Sequence, residues 1–257
     1  MKNSTQRGRR APAPALVAHL LRAWRANVPP AEWRQNGATT LRAAASAQLQ
    51  FAAVRRARQT LVRVHSPLLA VAPGHSHSVV ELITDDMPFL VDTLTMTLAE
   101  AGYAVQLIAY QIVAARRNGS GRLLGFDRRG GDAGAGDADE RRTAVKSGAV
   151  NESWQYLQIS RVAGEQECAA LQGRILAAMQ DVRRACEDWP AMRRRAKALR
   201  EQLARYATHQ SAAAVVEAQA LLEYIENDHF TFLGFERSVR SGKRAAQLLP
   251  DRSAALG

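Results

Sequence analysis

The stretch from Val79 to Ala115 changes its hydrophobic period twice, and this constrains the fold more than any other feature of the chain. Residues 79–84 form a compact apolar run of strand length. Asp85-Asp86-Met87-Pro88 interrupts it with helix-start chemistry, an aspartate for the N-cap and a proline for the first turn. Leu90, Leu94, Leu98 and Ala101 then recur at helical spacing, and Gly102 ends the pattern. A β-rich run over 103–115 follows, bounded by Asn118-Gly119. The stretch reads as β–α–β with tight connections.

Periodicity extends the reading outward. Leu16, Leu20, Leu21 and Trp24 predict a helix stopped by Pro29-Pro30, and Leu41, Ala45, Leu49, Ala52 and Arg56 predict a second over 40–58. Residues 61–64 read as a strand ended by Ser66-Pro67. The glycine- and acid-rich segment 117–150 reads as a flexible insertion with a short hairpin at 122–126, and its 127–148 part as mobile. Residues 154–162 read as a strand. Cys168, Leu171, Ile175, Met179, Val182 and Cys186 then mark a long helix over 165–187. Asp188-Trp189-Pro190 reads as a break, followed by a helix from Pro190 to Tyr206 and another over 213–226, packed as a hairpin. Phe230, Phe232 and Phe235 open a strand-like segment with no closing element before Gly257, so the chain reads as truncated. The domain expectation is a helical segment 1–65 with a disordered basic start, a domain 66–188 carrying the insertion, a helical hairpin 189–228, and the start of a further domain at 229–257.

Composition narrows the function classes. The formal net charge is +11, which invites a polyanion partner. Yet only four of the 35 cations are lysines, and the arginines are scattered beside acids, as at Arg183, Arg184, Glu187 and Asp188. A bland arginine-rich surface is the expectation, with no nucleic-acid partner. No apolar run reaches the roughly 20 residues that span a bilayer, so no membrane partner is expected. Cys168 and Cys186 share one predicted helix about 27 Å apart, beyond disulfide reach, which fits a cytoplasmic location.

Most candidate motifs have bland readings. Gly134-Ala-Gly136 lacks the third glycine and the preceding strand of a dinucleotide fingerprint. His75-Ser76-His77 offers too few ligands for a metal. Trp154 and Tyr156 share one strand face, as in an RNA stacking platform, but core burial is favoured. Asp85, Asp86 and Asp92 leave two readings open. They cap a helix, or the strand-to-helix turn holds a small ligand with its free N–H groups. No catalytic residue and no metal site is predicted.

The order β–α–β–(insertion)–β–α with Asp86-Met87-Pro88 after the first strand resembles the ACT domain, a ferredoxin-like βαββαβ amino-acid sensor that often dimerises side by side. Phe89 stands where that motif, Asp-x-Pro-Gly-Leu-Leu, has glycine. The stretch 79–92 is similar to the N-terminal part of the large bacterial NAD-specific glutamate dehydrogenases. So are Glu152-Ser153-Trp154, the run 187–192 (EDWPAM) and the run 227–235 (NDHFTFLGF).

The resemblance implies an α+β, ferredoxin-like (ACT-type) βαββα(β) sheet with flanking N-terminal and C-terminal helices. It implies the non-catalytic regulatory and assembly region of an enzyme that oxidatively deaminates L-glutamate with NAD. NAD would serve the whole enzyme, with no cofactor in this region. The implied partners are the enzyme's remaining domains, further copies in a homo-oligomer, and an amino-acid effector at Asp85, Asp86, Met87 and Phe89. Asp85 and Asp86 would select the effector's ammonium, and the Phe89 ring is expected to fill or narrow the pocket, making the module mainly an interface. Two alternatives remain. A free-standing ACT-type sensor needs a complete last strand and a glycine turn. A basic ferredoxin-like RNA-binding module would show strongly salt-dependent RNA affinity.

Overall fold

The computed structural model describes residues 11–67, 77–127, 148–203, 205, 212–241 and 247–257. Three helices come first: α1 (Pro14–Asn27), α2 (Pro30–Asn36) and α3 (Ala38–Phe51). Then follow β1 (Leu61–His65), β2 (His77–Asp85), α4 (Leu90–Glu100), β3 (Val105–Arg117), β4 (Leu123–Phe126), β5 (Val150–Ser160) and α5 (Gly164–Leu203). Helix α6 (Ala212–Tyr224), a π-helical turn (Ile225–His229), β6 (Phe235–Ser241) and β7 (Gln247–Leu256) complete the order. The chain forms two compact units, residues 1–179 and 180–257.

The first unit is built on an antiparallel sheet of order β1-β2-β5-β3-β4. β2 and β3 are joined through α4, and β5 runs between them, antiparallel to both. This is the split βαβ arrangement of ferredoxin-like folds. In a βαββαβ module the last strand lies beside the first. Here β1, which precedes β2 in the chain, takes that edge, in register from Leu61↔Ile83 to His65↔Val79. The sheet is thus completed from the N-terminal side, and residues 61–65 belong to it.

Alternation explains how two layers meet the sheet. One face presents Val79 and Ile83 from β2, Leu107, Ala109 and Val113 from β3, and Trp154 and Tyr156 from β5. The stripes of α1 (Val17, Leu20, Trp24) and α3 (Leu41, Ala45, Leu49) close over it in one core. The other face carries Val80, Leu82, Leu157 and Ile159, and α4 supplies Leu90, Leu94 and Leu98 in the same unit, all buried. Cover on both faces is why β2 and β5 are buried almost continuously, not at alternate residues.

Local boundaries differ from the periodicity in three places. The second helix stops at Phe51, because residues 52–55 pair with the β3–β4 hairpin: Arg55 N–H donates to the Gly121 carbonyl at 2.9 Å and Leu123 N–H to that of Ala53 at 2.9 Å. Helix α4 has Phe89 at its N-cap, so neither Asp85 nor Asp86 occupies that position. Pro190 does not interrupt α5, which runs from Gly164 to Leu203. Good helix formers on both sides outweigh one lost hydrogen bond, and the Arg193 guanidinium packs 4.8 Å from the Trp189 ring centroid across the position. The hairpin expected at 122–126 forms as β4, while residues 128–147 of the insertion lie outside the described residues, as do Gly134, Gly136, His75 and Tyr206. Among the described residues no helix is long and apolar enough to cross a membrane.

Candidate functional site

The end of β2 is tied into a buried ion cluster. Arg55, in the segment that follows α3, is 2% exposed. One amine of its guanidinium holds Asp85, and the other donates to Glu152 Oε1 at 2.8 Å. Arg117, from the end of β3, donates to the same carboxylate at 2.6 and 2.9 Å. Trp154 Nε1 adds a fourth bond to Glu152 at 2.9 Å. Glu152 is fully buried, and two cations face two carboxylates, so the cluster is balanced. Every such bond is needed, since a buried charge is tolerated only when paired and hydrogen-bonded.

The backbone closes around the cluster. Arg117 Nη1 also donates to the carbonyls of Ala52 (2.9 Å) and Gly121 (3.0 Å). Gly121 has φ +80°, and a Cβ there would stand 2.4 Å from the Arg55 carbonyl oxygen. Glycine is required by both the turn and the close approach. Four donor contacts hold the Glu152 oxygens, so the cluster is a structural link. Its capacity is mechanical: it joins residues 52–59, the end of β2, the hairpin and the start of β5.

The turn after β2 is where the four expected effector residues lie. Asp85 is its first residue and pairs with Arg55. Asp86 N–H donates to the Asn151 carbonyl at 2.9 Å. Met87 is half-buried. Phe89 has φ +68°, in the left-handed region, and is 46% exposed. That backbone is the one a glycine would supply at this place in the Asp-x-Pro-Gly motif, so the geometry persists with a bulky residue in it. The residue is not part of the buried core. About half of the residue faces solvent, and Met96, two turns along α4, is 62% exposed.

The aromatic face proposed for RNA stacking is closed. Trp154 is fully buried and Tyr156 is 5% exposed. Trp24 stacks on Tyr156 with centroids 5.0 Å apart, and Phe126 meets Trp154 edge-on at 5.3 Å. Burial pushes the Tyr156 hydroxyl up to about 12, with Glu81 adding to the shift and the bond from Gln158 opposing it. Glu81 is itself buried on this face, held by Arg63 and 3.2 Å from His65 Nε2. Burial lowers the His77 pKa, as does the nearby His65. Cys168 and Cys186 are half-buried thiols not joined in a disulfide, and burial with neighbouring glutamates pushes both pKa values up. Among the described residues no group of three or more His, Cys, Asp or Glu side chains is placed to hold a metal.

Arg55, Arg117 and Gly121 were not singled out by sequence reasoning. Arg55 sits in an alanine-rich helical pattern with other arginines, and nothing in its neighbourhood distinguishes it from Arg56 or Arg58. A glutamate inside a strand, as at Glu152, is the one local hint that a buried cation must exist.

The split βαβ sheet, with its turn of Asp-x-Pro type, defines an ACT-like domain of ferredoxin type. Residues 20–175 match a family model described as "Glutamate dehydrogenase, ACT1 domain". The chain is 29% identical over 201 residues to an NAD-specific glutamate dehydrogenase of Pseudomonas aeruginosa, covering 77% of this chain and 12% of that protein. It is 29% identical over 184 residues to an NAD-specific glutamate dehydrogenase of Halomonas elongata, covering 71% of this chain and 11% of the relative. The family match covers more than half of the 257 residues, and the chain belongs to the glutamate dehydrogenase ACT1 domain family.

Proposed function

We propose that this chain is the N-terminal regulatory and assembly region of an NAD-dependent glutamate dehydrogenase and has no catalytic role of its own. In this reading the whole protein converts L-glutamate, NAD and water to 2-oxoglutarate, ammonia and NADH in the cytoplasm, as a homo-oligomer. The chemistry resides outside these residues, and residues 229–257 begin a further domain. The observation that carries the reading is the match of residues 20–175 to an ACT1 domain, in relatives of which the chain spans about one-eighth (12% and 11%).

The turn 85–89 is its point of contact. A ligand or neighbouring subunit that draws on Asp85 also releases Arg55, and through Arg55 it acts on Glu152, Arg117 and the 52–59 segment. The exposed Phe89 ring favours a contact between protein surfaces over an enclosed amino-acid pocket.

Two measurements test this. Calorimetry of the isolated chain with NAD and NADH should show no binding heat, and a micromolar site overturns the non-catalytic assignment. In the full-length polypeptide, deletion of residues 1–179 should change the oligomeric mass or the response of glutamate oxidation to an amino-acid panel. Unchanged mass and response overturn the regulatory and assembly assignment.

A further inference from the structure

Helix α6 is apolar nearly all round, the pattern of a helix enclosed on every side. Among the described residues, only one side is covered. Val215 is buried, and Ala218, Gln219 and Leu222 are half-buried, with Gln219 Nε2 donating to the Arg200 carbonyl at 3.3 Å. The opposite side carries Ala213, Val216, Ala220 and Tyr224 at helical spacing, with Leu221 beside them, all exposed. Val216 is 64% exposed, Leu221 57% and Tyr224 49%.

The stripe continues past the helix. The π-helical turn brings the His229 ring onto Tyr224 with centroids 3.9 Å apart, and the Phe230 ring meets Tyr224 edge-on at 6.0 Å. Phe230 and Leu233 are 60% and 69% exposed. One carboxylate, exposed Glu217, lies within the stripe. A continuous apolar surface of this kind is a docking site in a soluble protein.

We infer that this face docks an apolar, basic-edged element of the same, longer polypeptide. The inference rests on the reading given under Proposed function. The relatives supply the room for such an element, because the matched stretch covers only 12% and 11% of their length. Glu217 selects against a second copy. A two-fold contact is self-complementary, so a dimer centred on this stripe would press Glu217 towards its own copy in a desolvated interface. An arginine or lysine at the edge of the docking element meets that carboxylate instead.

The test is hydroxyl-radical footprinting of Tyr224 and Phe230, in the 257-residue chain and in the full-length polypeptide. Labelling of both rings should be lost in the full-length polypeptide. Val216→Glu with Leu221→Glu should restore it there and leave the melting curve of the 257-residue chain unchanged. Equal labelling in both proteins overturns the proposal. So does a concentration-dependent dimer of the 257-residue chain that protects both rings and is abolished by the double variant. Footprinting reports on residues 213–233, whereas the regulatory reading fails on the 1–179 deletion, so the two failures are distinguishable.

Discussion

Arg55 and Phe89 each do something their own sequence neighbourhood does not announce. Arg55 is 2% exposed and, together with Arg117, balances Asp85 and Glu152. Removing one carboxylate leaves a buried cation short of its partner, a loss that costs about 3 to 5 kcal/mol in such pairs. Glu152→Gln should therefore lower the unfolding free energy by that order in urea titration. A change under about 1 kcal/mol would mean that the cluster is solvated. Phe89 presents the opposite case. Its ring is half in water while its backbone sits at φ +68°, a conformation that costs a non-glycine residue about 1 to 2 kcal/mol. Phe89→Gly relieves that strain and adds some chain entropy, so stability should rise by about 1 kcal/mol or stay level. A loss of several kcal/mol on denaturation would show that the ring is buried in the folded protein.

At the scale of elements, the sheet owes its behaviour to the layer over each face. Trp24 on α1 seals Tyr156 on β5, and the phenol titrates at about 12 against an ordinary value of 10.0. A raised pKa means that the folded state holds its proton more tightly than the unfolded chain. The resulting stability is fully present below pH 10 and is lost as pH rises through 12, about 3 kcal/mol in all. Tyr156→Phe should flatten that part of the stability-versus-pH curve, measured by denaturant titration at pH 9 to 12. An identical slope in the variant would place the alkaline loss elsewhere. Gly121 is the element-scale counterpart on the hairpin. Gly121→Ala forces a Cβ against the Arg55 carbonyl at φ +80° and should cost about 2 kcal/mol or more in the same titration.

The whole first unit depends on its N-terminal layer. Without residues 11–51, the face bearing Val79, Ile83, Trp154 and Tyr156 has no cover. A chain starting at residue 52 should lose its cooperative melt and bind a hydrophobic dye more strongly than the 257-residue chain. A sharp transition in the shortened chain would make the ACT-like sheet self-sufficient. The same layer closes the aromatic face against single-stranded RNA, because stacking on Trp154 and Tyr156 would first require Trp24 to leave.

Much of this was legible in residue order. The period change between Val79 and Ala115 predicts the order β–α–β, because amphipathic spacing is a local property that tertiary contacts rarely reverse in long elements. The four-motif resemblance located the family for the same reason, since motifs are linear. The rest depends on pairing between distant positions. That β1 completes the sheet follows from its register with β2, and no local signal separates an edge strand from an isolated one. The end of α3 at Phe51 is dictated by a hairpin some seventy residues on, whose carbonyls and amides outbid the helix. The turn at 85–89 was located from sequence, but its partners were not. Arg55, Arg117 and Glu152 meet only once the sheet has formed, and a buried charge finds its counter-charge through space, not along the chain.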